Sequence, residues 1–275
     1  MSIKISLKNI KIKNSKQQSG SIIETINANF ATKTLQIKNI TKSFGYGKNK
    51  KTVLKGVSFS IEKGKVTSLL GPNGAGKTTC FSIISGLIKP DTGSIFLNDI
   101  NITKYPMFKR ARLGIGYLPQ EASIFRGMTV RENLLSILEL KEKDNEILED
   151  QVQKLMNDFT ISHLENQYAN KLSGGERRRV EIARAIAANP DFILLDEPFA
   201  GIDPITIKEM RKLISHLKDR GIGVIITEHN VRETLAITDI AYIIAYGKLI
   251  AEGTANDIIR NEEVRRIYLG DTFVI

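Results

Sequence analysis

Residues Gly71-Pro72-Asn73-Gly74-Ala75-Gly76-Lys77-Thr78 read G-x-x-x-x-G-K-T, the spacing of a phosphate-binding loop. Its glycines let successive backbone N–H groups turn inward and cradle phosphate oxygens. Lys77 can then reach the β- and γ-phosphates, and the Thr78 hydroxyl, with Thr79 beside it, can ligate Mg²⁺. Further on, Asp191-Phe192-Ile193-Leu194-Leu195-Asp196-Glu197-Pro198 is an apolar run ending in two acids. A buried strand would carry both carboxylates to the C-terminal edge of a sheet, where ligands bind in open α/β folds. Asp196 would hold Mg²⁺, and Glu197 would polarise an attacking water as general base. Gln120 closes Ile115-Gly116-Tyr117-Leu118-Pro119; its neutral amide can touch both metal and water. His229, in Thr227-Glu228-His229-Asn230, also follows a strand end and can hydrogen-bond a γ-phosphate. Asp203, just past Glu197, would reach toward a neighbouring subunit.

These residues need a scaffold, and the flanking pattern supplies one. Val66 to Leu70 is a short apolar strand, and Lys77 to Ile88 reads as a helix, so phosphates would rest on a helix N-terminus. From Thr34 to Lys65 apolar residues alternate with polar ones, as in an antiparallel sheet. From about Gln120 to Ala169 the period turns helical. Thr129-Val130-Arg131-Glu132 forms a capping box, and Leu148, Val152, Leu155, Met156 and Phe159 make one apolar stripe. Phe192–Leu195 and Val224–Thr227 are continuous apolar strands of a parallel sheet. The helix Pro204–Leu217 lies between them, and Ile240–Ala251 reads as a closing hairpin.

Composition excludes several classes. No apolar run in the 275 residues approaches the ~20 needed to span a bilayer. The N-terminus has no apolar segment of the secretory kind. A single cysteine, Cys80, cannot pair internally and reads as a small buried hydrophobe. Half of the net +10 charge lies in residues 1–33, where Lys4, Lys8, Lys11, Lys13, Lys16 and Lys33 face one acid, Glu24. This stretch is expected to be a solvated, poorly ordered tail, although an anionic surface would attract it. The rest is only mildly basic, so no nucleic-acid partner is expected.

Leu172-Ser173-Gly174-Gly175-Glu176 makes the resemblance specific. Together with the phosphate loop, Gln120, Asp196-Glu197, Asp203 and His229, in that order, it resembles the signature of ATP-binding-cassette (ABC) ATPases over roughly residues 34–275. The resemblance implies an α/β nucleotide-binding domain. Its core would be a P-loop sheet, with an antiparallel β subdomain and an inserted helical subdomain at about 120–188. It implies ATP and Mg²⁺ as ligands, and Phe44 as the aromatic that stacks on adenine, with Tyr46 as a substitute. It also implies a head-to-tail homodimer, in which Ser173, Gly174, Gly175 and Glu176 of one subunit close over the γ-phosphate held by the other. More narrowly, Gly114–Arg126, Leu172–Ala185 and Ile267-Tyr268-Leu269-Gly270 look like the ATP-binding subunits of bacterial lipopolysaccharide exporters. That implies membrane permease partners and a cytoplasmic position on the inner membrane. Branched-chain amino-acid importer ATPases end similarly and are the alternative. Glu228, where exporter subunits often have aspartate, and the basic N-terminus depart from the pattern.

Overall fold

Period-two alternation builds the first sheet. In the computed structural model, which describes residues 33–270 and 273, β1 (Thr34–Phe44) pairs antiparallel with β2 (Lys51–Glu62). Thr34 stands opposite Glu62 and Phe44 opposite Lys51. β4 (Thr92–Leu97) and the short β5 (Ile100–Asn101) complete the order β2-β1-β4-β5. The expected basic tail falls, apart from Lys33, outside the described residues. Lys33 itself is tied down, its ammonium 2.7 Å from Asp191.

The continuous apolar runs build the second sheet. Its order is β10-β9-β3-β8-β7-β6, from β3 (Val66–Leu70), β6 (Ile115–Leu118), β7 (Phe192–Asp196), β8 (Gly223–Thr227), β9 (Ile240–Ala245) and β10 (Lys248–Gly253). All neighbours are parallel except the β9–β10 hairpin at one edge. Every residue of β3, β7 and β8 is buried, as strands covered on both faces must be. Alternation sorts their side chains into two cores. Ile193, Leu195, Val224 and Ile226 face the inserted helices, while Phe192, Leu194 and Ile225 face the first sheet and the helix after the phosphate loop.

That helix, α1 (Lys77–Ser85), stops short of the expected Ile88 because Gly86 adopts a left-handed cap at φ 87°. A buried cation then secures its end. Arg110, on α2 (Met107–Arg112), donates to the carbonyls of Ile83 and Ile84 at 2.7 Å, and to Tyr105 and Thr103. Helix C-terminal carbonyls carry partial negative charge, so they can hold a guanidinium. Burial nonetheless pushes its pKa down to about 10.

Between β6 and β7 come α3 (Val130–Leu138), α4 (Asn145–Asp158) and α5 (Gly174–Ala187). The capping box at Thr129 forms with Glu132, and the stripe from Leu148 to Phe159 is buried. β6 and β7 are parallel neighbours, so this segment leaves the C-terminal end of one and crosses back to the N-terminal end of the other. After β7, α6 (Pro204–Asp219) starts on Asp203, and α7 (Val231–Leu235) follows β8.

Candidate functional site

The phosphate loop runs from buried β3 into α1 and depends on three glycines. A Cβ on Gly71 would lie 1.9 Å from the Ile244 carbonyl oxygen, and one on Gly76 would lie 2.6 Å from Leu54 Cδ2. Gly74 has φ 76° with open space around it. Gly76 caps α1 without a side-chain hydrogen bond, which leaves first-turn N–H groups for a ligand. Lys77 is buried and folds back over the loop, donating to the carbonyls of Gly71 at 2.7 Å and Pro72 at 3.2 Å. Burial lowers its pKa, while Glu197 and Asp196 counter that fall. The loop, Thr78, Thr79, Glu197 and His229 line one cavity of about 660 Å³.

Asp196 ends β7 and is buried, so its pKa is raised by burial. Thr227, at the end of the neighbouring β8, donates its hydroxyl to Asp196 Oδ1. The next residue, Glu197, takes φ 46°, a left-handed turn that swings its side chain off the strand line. Its backbone N–H donates to the Thr227 carbonyl at 3.0 Å, and its Oε1 lies 2.7 Å from His229 Nε2. The Glu228 carboxylate is buried behind them. It accepts from the backbone of Phe199 at 2.5 Å and of His229 at 3.0 Å, bracing both loops. Burial raises its pKa.

Gln120 does not line the phosphate-loop cavity. It is exposed and shares a smaller one, about 60 Å³, with Glu197, Gly174 and Arg178. The strand that precedes it ends at Leu118. Buried Arg178 of α5 connects these parts, donating to the Pro119 carbonyl at 2.9 Å and the Asp196 carbonyl at 3.1 Å.

Ser173 to Gly175 also lie outside the phosphate-loop cavity. Ser173 caps α5 in a box with Glu176, its hydroxyl donating to Glu176 Oε2 at 2.7 Å. Asp203 likewise caps α6, accepting from Ile205, Thr206 and the Thr206 hydroxyl. Within this chain, then, the phosphate loop meets Glu197 and His229 but not the signature residues.

The expected adenine-stacking residues do not line the cavity either. Phe44 is half-exposed with Lys42 Nζ 5.6 Å from its ring centroid, and Tyr46 is 94% exposed. Phe44 does stand opposite Lys51, which lines the cavity. An aromatic that sequence reasoning left in the closing hairpin, Tyr246, lines it instead. Thr227 and Arg178 were also passed over. Thr227 could have been found as the hydroxyl residue just before Glu228-His229, whereas nothing local marks Arg178.

For a nucleoside triphosphate the fit is direct: a glycine-built cradle, uncapped helix N–H groups and one buried lysine. For Mg²⁺ the donors are hard oxygens, the Thr78 hydroxyl and the Asp196 carboxylate, which suit that ion. Among the described residues no group of three or more His, Cys, Asp or Glu could hold a metal, so phosphate and water oxygens would have to complete its shell. Among the described residues no helix is long and apolar enough to cross a membrane.

Comparison with known proteins agrees with this geometry. Residues 54–200 match the family described as ABC transporter, and residues 248–274 match one described as branched-chain amino acid ATP-binding cassette transporter. The lipopolysaccharide export system ATP-binding protein LptB of Escherichia coli is 51% identical, over 87% of this chain and 98% of that protein. An ATP-binding cassette of an ABC transporter in its ADP conformation superposes with a TM-score of 0.76 at 32% identity, covering 88% of this chain and all of the other. A dimeric cassette in a post-hydrolysis state, bound to ADP and phosphate, gives 0.72 at 28% identity over 80% of this chain and 98% of its own.

Proposed function

We infer the function from one premise: this chain belongs to the ABC transporter family and is an ATPase of that family. We propose that it is the energy-coupling subunit of a lipopolysaccharide exporter, working as a homodimer on the cytoplasmic face of the inner membrane beneath a pair of permeases. The observation that carries the cargo is the 51% identity to the E. coli export protein across nearly all of that protein's length.

In this reading the loop from Gly71 to Thr79 binds the triphosphate of ATP. Lys77 leaves the Gly71 and Pro72 carbonyls to meet the β- and γ-phosphates. Phe44, at the end of β1 beside Lys51, stacks on adenine. Thr78 and Asp196, with Gln120 moving in from its neighbouring pocket, would hold Mg²⁺, which would offset phosphate charge when bound. Glu197 takes the proton of the attacking water, and His229 orients Glu197 through the contact it already makes and hydrogen-bonds the γ-phosphate when ATP is bound. Because Ser173, Gly174 and Gly175 lie outside their own chain's phosphate cavity, they serve the partner's, with Asp203 beside the junction. Two identical chains arranged head to tail complete two sites, which fits the dimeric cassette seen with ADP and phosphate. The domain proper then spans 34–275, with 120–188 as the helical subdomain that carries the signature.

Coupling to the permeases falls to the loop after Gln120. Ile124 is buried, but Phe125 is exposed, with the Arg184 guanidinium 4.6 Å from its ring centroid. Buried Asn133 holds the Phe125 backbone from both sides, accepting its N–H at 3.0 Å and donating to its carbonyl at 3.1 Å. A fixed, half-open aromatic is a fitting anchor for a permease helix.

The match of residues 248–274 to a branched-chain amino acid transporter family supports a second reading, an importer subunit. Co-purification in mild detergent separates the two. Permeases of lipopolysaccharide export are the expected companions, and restored growth of an E. coli strain depleted of LptB would agree. Companions of the amino-acid importer type, with no rescue, would overturn the export reading.

A further inference from the structure

We infer that Tyr246 is a wall of the nucleotide site, its ring lying against the nucleoside half of ATP from the side of β2 opposite β1. The inference rests on the ATPase reading above and adds an aromatic supplied by the C-terminal hairpin.

The phosphate loop, Glu197 and His229 supply the part of the cavity lining that suits phosphates. The rest of the lining is Lys51, Thr52, Val53 and Lys55 of β2 together with Tyr246 and Gly247, and Tyr246 is its aromatic surface. Base–aromatic contact tolerates any base, because every base presents a π-face.

The turn that carries Tyr246 is held in place by close backbone approaches. A Cβ on Gly247 would sit 2.2 Å from the Val53 carbonyl oxygen, and the Lys55 N–H donates to the Gly247 carbonyl at 2.8 Å. Two residues before Tyr246, the Ile244 carbonyl occupies the space a Cβ on Gly71 would need. The hairpin is therefore fitted against both β2 and the first glycine of the phosphate loop. Tyr246 itself adopts φ 53°, a left-handed conformation uncommon for a bulky residue. The residue is 72% exposed, so burial in the protein core does not account for an aromatic there.

β1 pairs with one side of β2, which puts Phe44 opposite Lys51, and the hairpin closes the other. The nucleoside would thus meet an aromatic from each flank of β2. Of the two, Tyr246 already lines the cavity and Phe44 does not.

Equilibrium binding of ATP and of inorganic tripolyphosphate tests this, using the full chain and the variants Tyr246→Gly and Tyr246→Phe. Glycine suits the left-handed turn, so the ring is removed without backbone strain. Tyr246→Gly should weaken ATP binding about tenfold, the scale of one base–aromatic contact, and leave tripolyphosphate binding unchanged. Tyr246→Phe should bind both as the wild type does. ATP binding by Tyr246→Gly at the wild-type level would overturn the inference, as would an equal loss for tripolyphosphate. Failure of the wild type to bind ATP at all would overturn the ATPase reading as well.

Discussion

Glu197 Oε1 lies 2.7 Å from His229 Nε2, joining the acid that follows β7 to the imidazole that follows β8. The two strands are parallel neighbours, and Thr227 fixes their ends by accepting the Glu197 N–H while donating to Asp196. Carboxylate and imidazole therefore face the phosphate-loop cavity as one unit. Glu197→Gln should keep ATP binding and lower turnover by about 10²–10⁴-fold, the usual contribution of a general base. ATP should then trap a dimer on size-exclusion chromatography. A variant that stays monomeric and hydrolyses ATP at the wild-type rate would remove Glu197 from the mechanism.

In the proposed dimer Ser173 and Lys77 belong to different half-sites, since the Ser173 loop does not line the cavity over which Lys77 folds. Ser173→Arg and Lys77→Ala should each be inactive alone. Mixed, they should recover part of the activity, because a hybrid dimer rebuilds one intact site. ATPase assays over a range of mixing ratios test this, and a mixture as inactive as either parent contradicts independently firing shared sites.

Phe125 is exposed while its neighbour Ile124 is buried, so the two apolar residues of this loop have different tasks. Phe125→Ala should leave basal ATPase near normal and shift the melting temperature little, yet prevent assembly with the permeases. Ile124→Ala should instead cost about 2–5 kcal/mol of stability, as for other buried large-to-small changes. Thermal melts and detergent pull-downs of both variants distinguish the roles. A Phe125→Ala melt as low as that of Ile124→Ala would place the ring in the core.

Cys80 is fully buried on α1, and burial pushes its thiol pKa up to about 12. A raised thiol pKa keeps the group protonated below that value, and the thiolate is the reactive form. At pH 8 iodoacetamide should leave the native protein unlabelled and label it rapidly once denatured, as read by mass spectrometry. Fast native labelling would mean that α1 opens.

Arg110 offers a test of how α1 is anchored. Arg110→Met removes the guanidinium donors from the Ile83 and Ile84 carbonyls, leaving Ile83 only the Gly86 N–H. Hydrogen bonds to a charged group contribute about 1.5–3 kcal/mol each, so denaturant melts should show a loss of at least that size. An unchanged midpoint would mean that water replaces the guanidinium.

Much of this protein was legible along the chain, because local rules set it. The glycines at Gly71, Gly74 and Gly76 and the apolar runs of β3, β7 and β8 are consecutive residues whose spacing speaks for itself. So did the Thr129 capping box, which forms as expected. What periodicity could not carry was contact between distant segments. That Thr227 would hold Asp196, that Arg178 would grip the carbonyls of Pro119 and Asp196, and that Glu228 would brace Phe199 all depend on sheet order. Strand neighbours in the order β9-β3-β8-β7-β6 come from five separate parts of the sequence, and no local signal states which ends will meet. For the same reason the sequence put an aromatic at Phe44, read from its motif, while packing of Gly247 against Val53 brought Tyr246 to the cavity. Residue types determined which chemistry was possible here; the parallel pairing of buried strands, which no single strand encodes, decided which side chains share it.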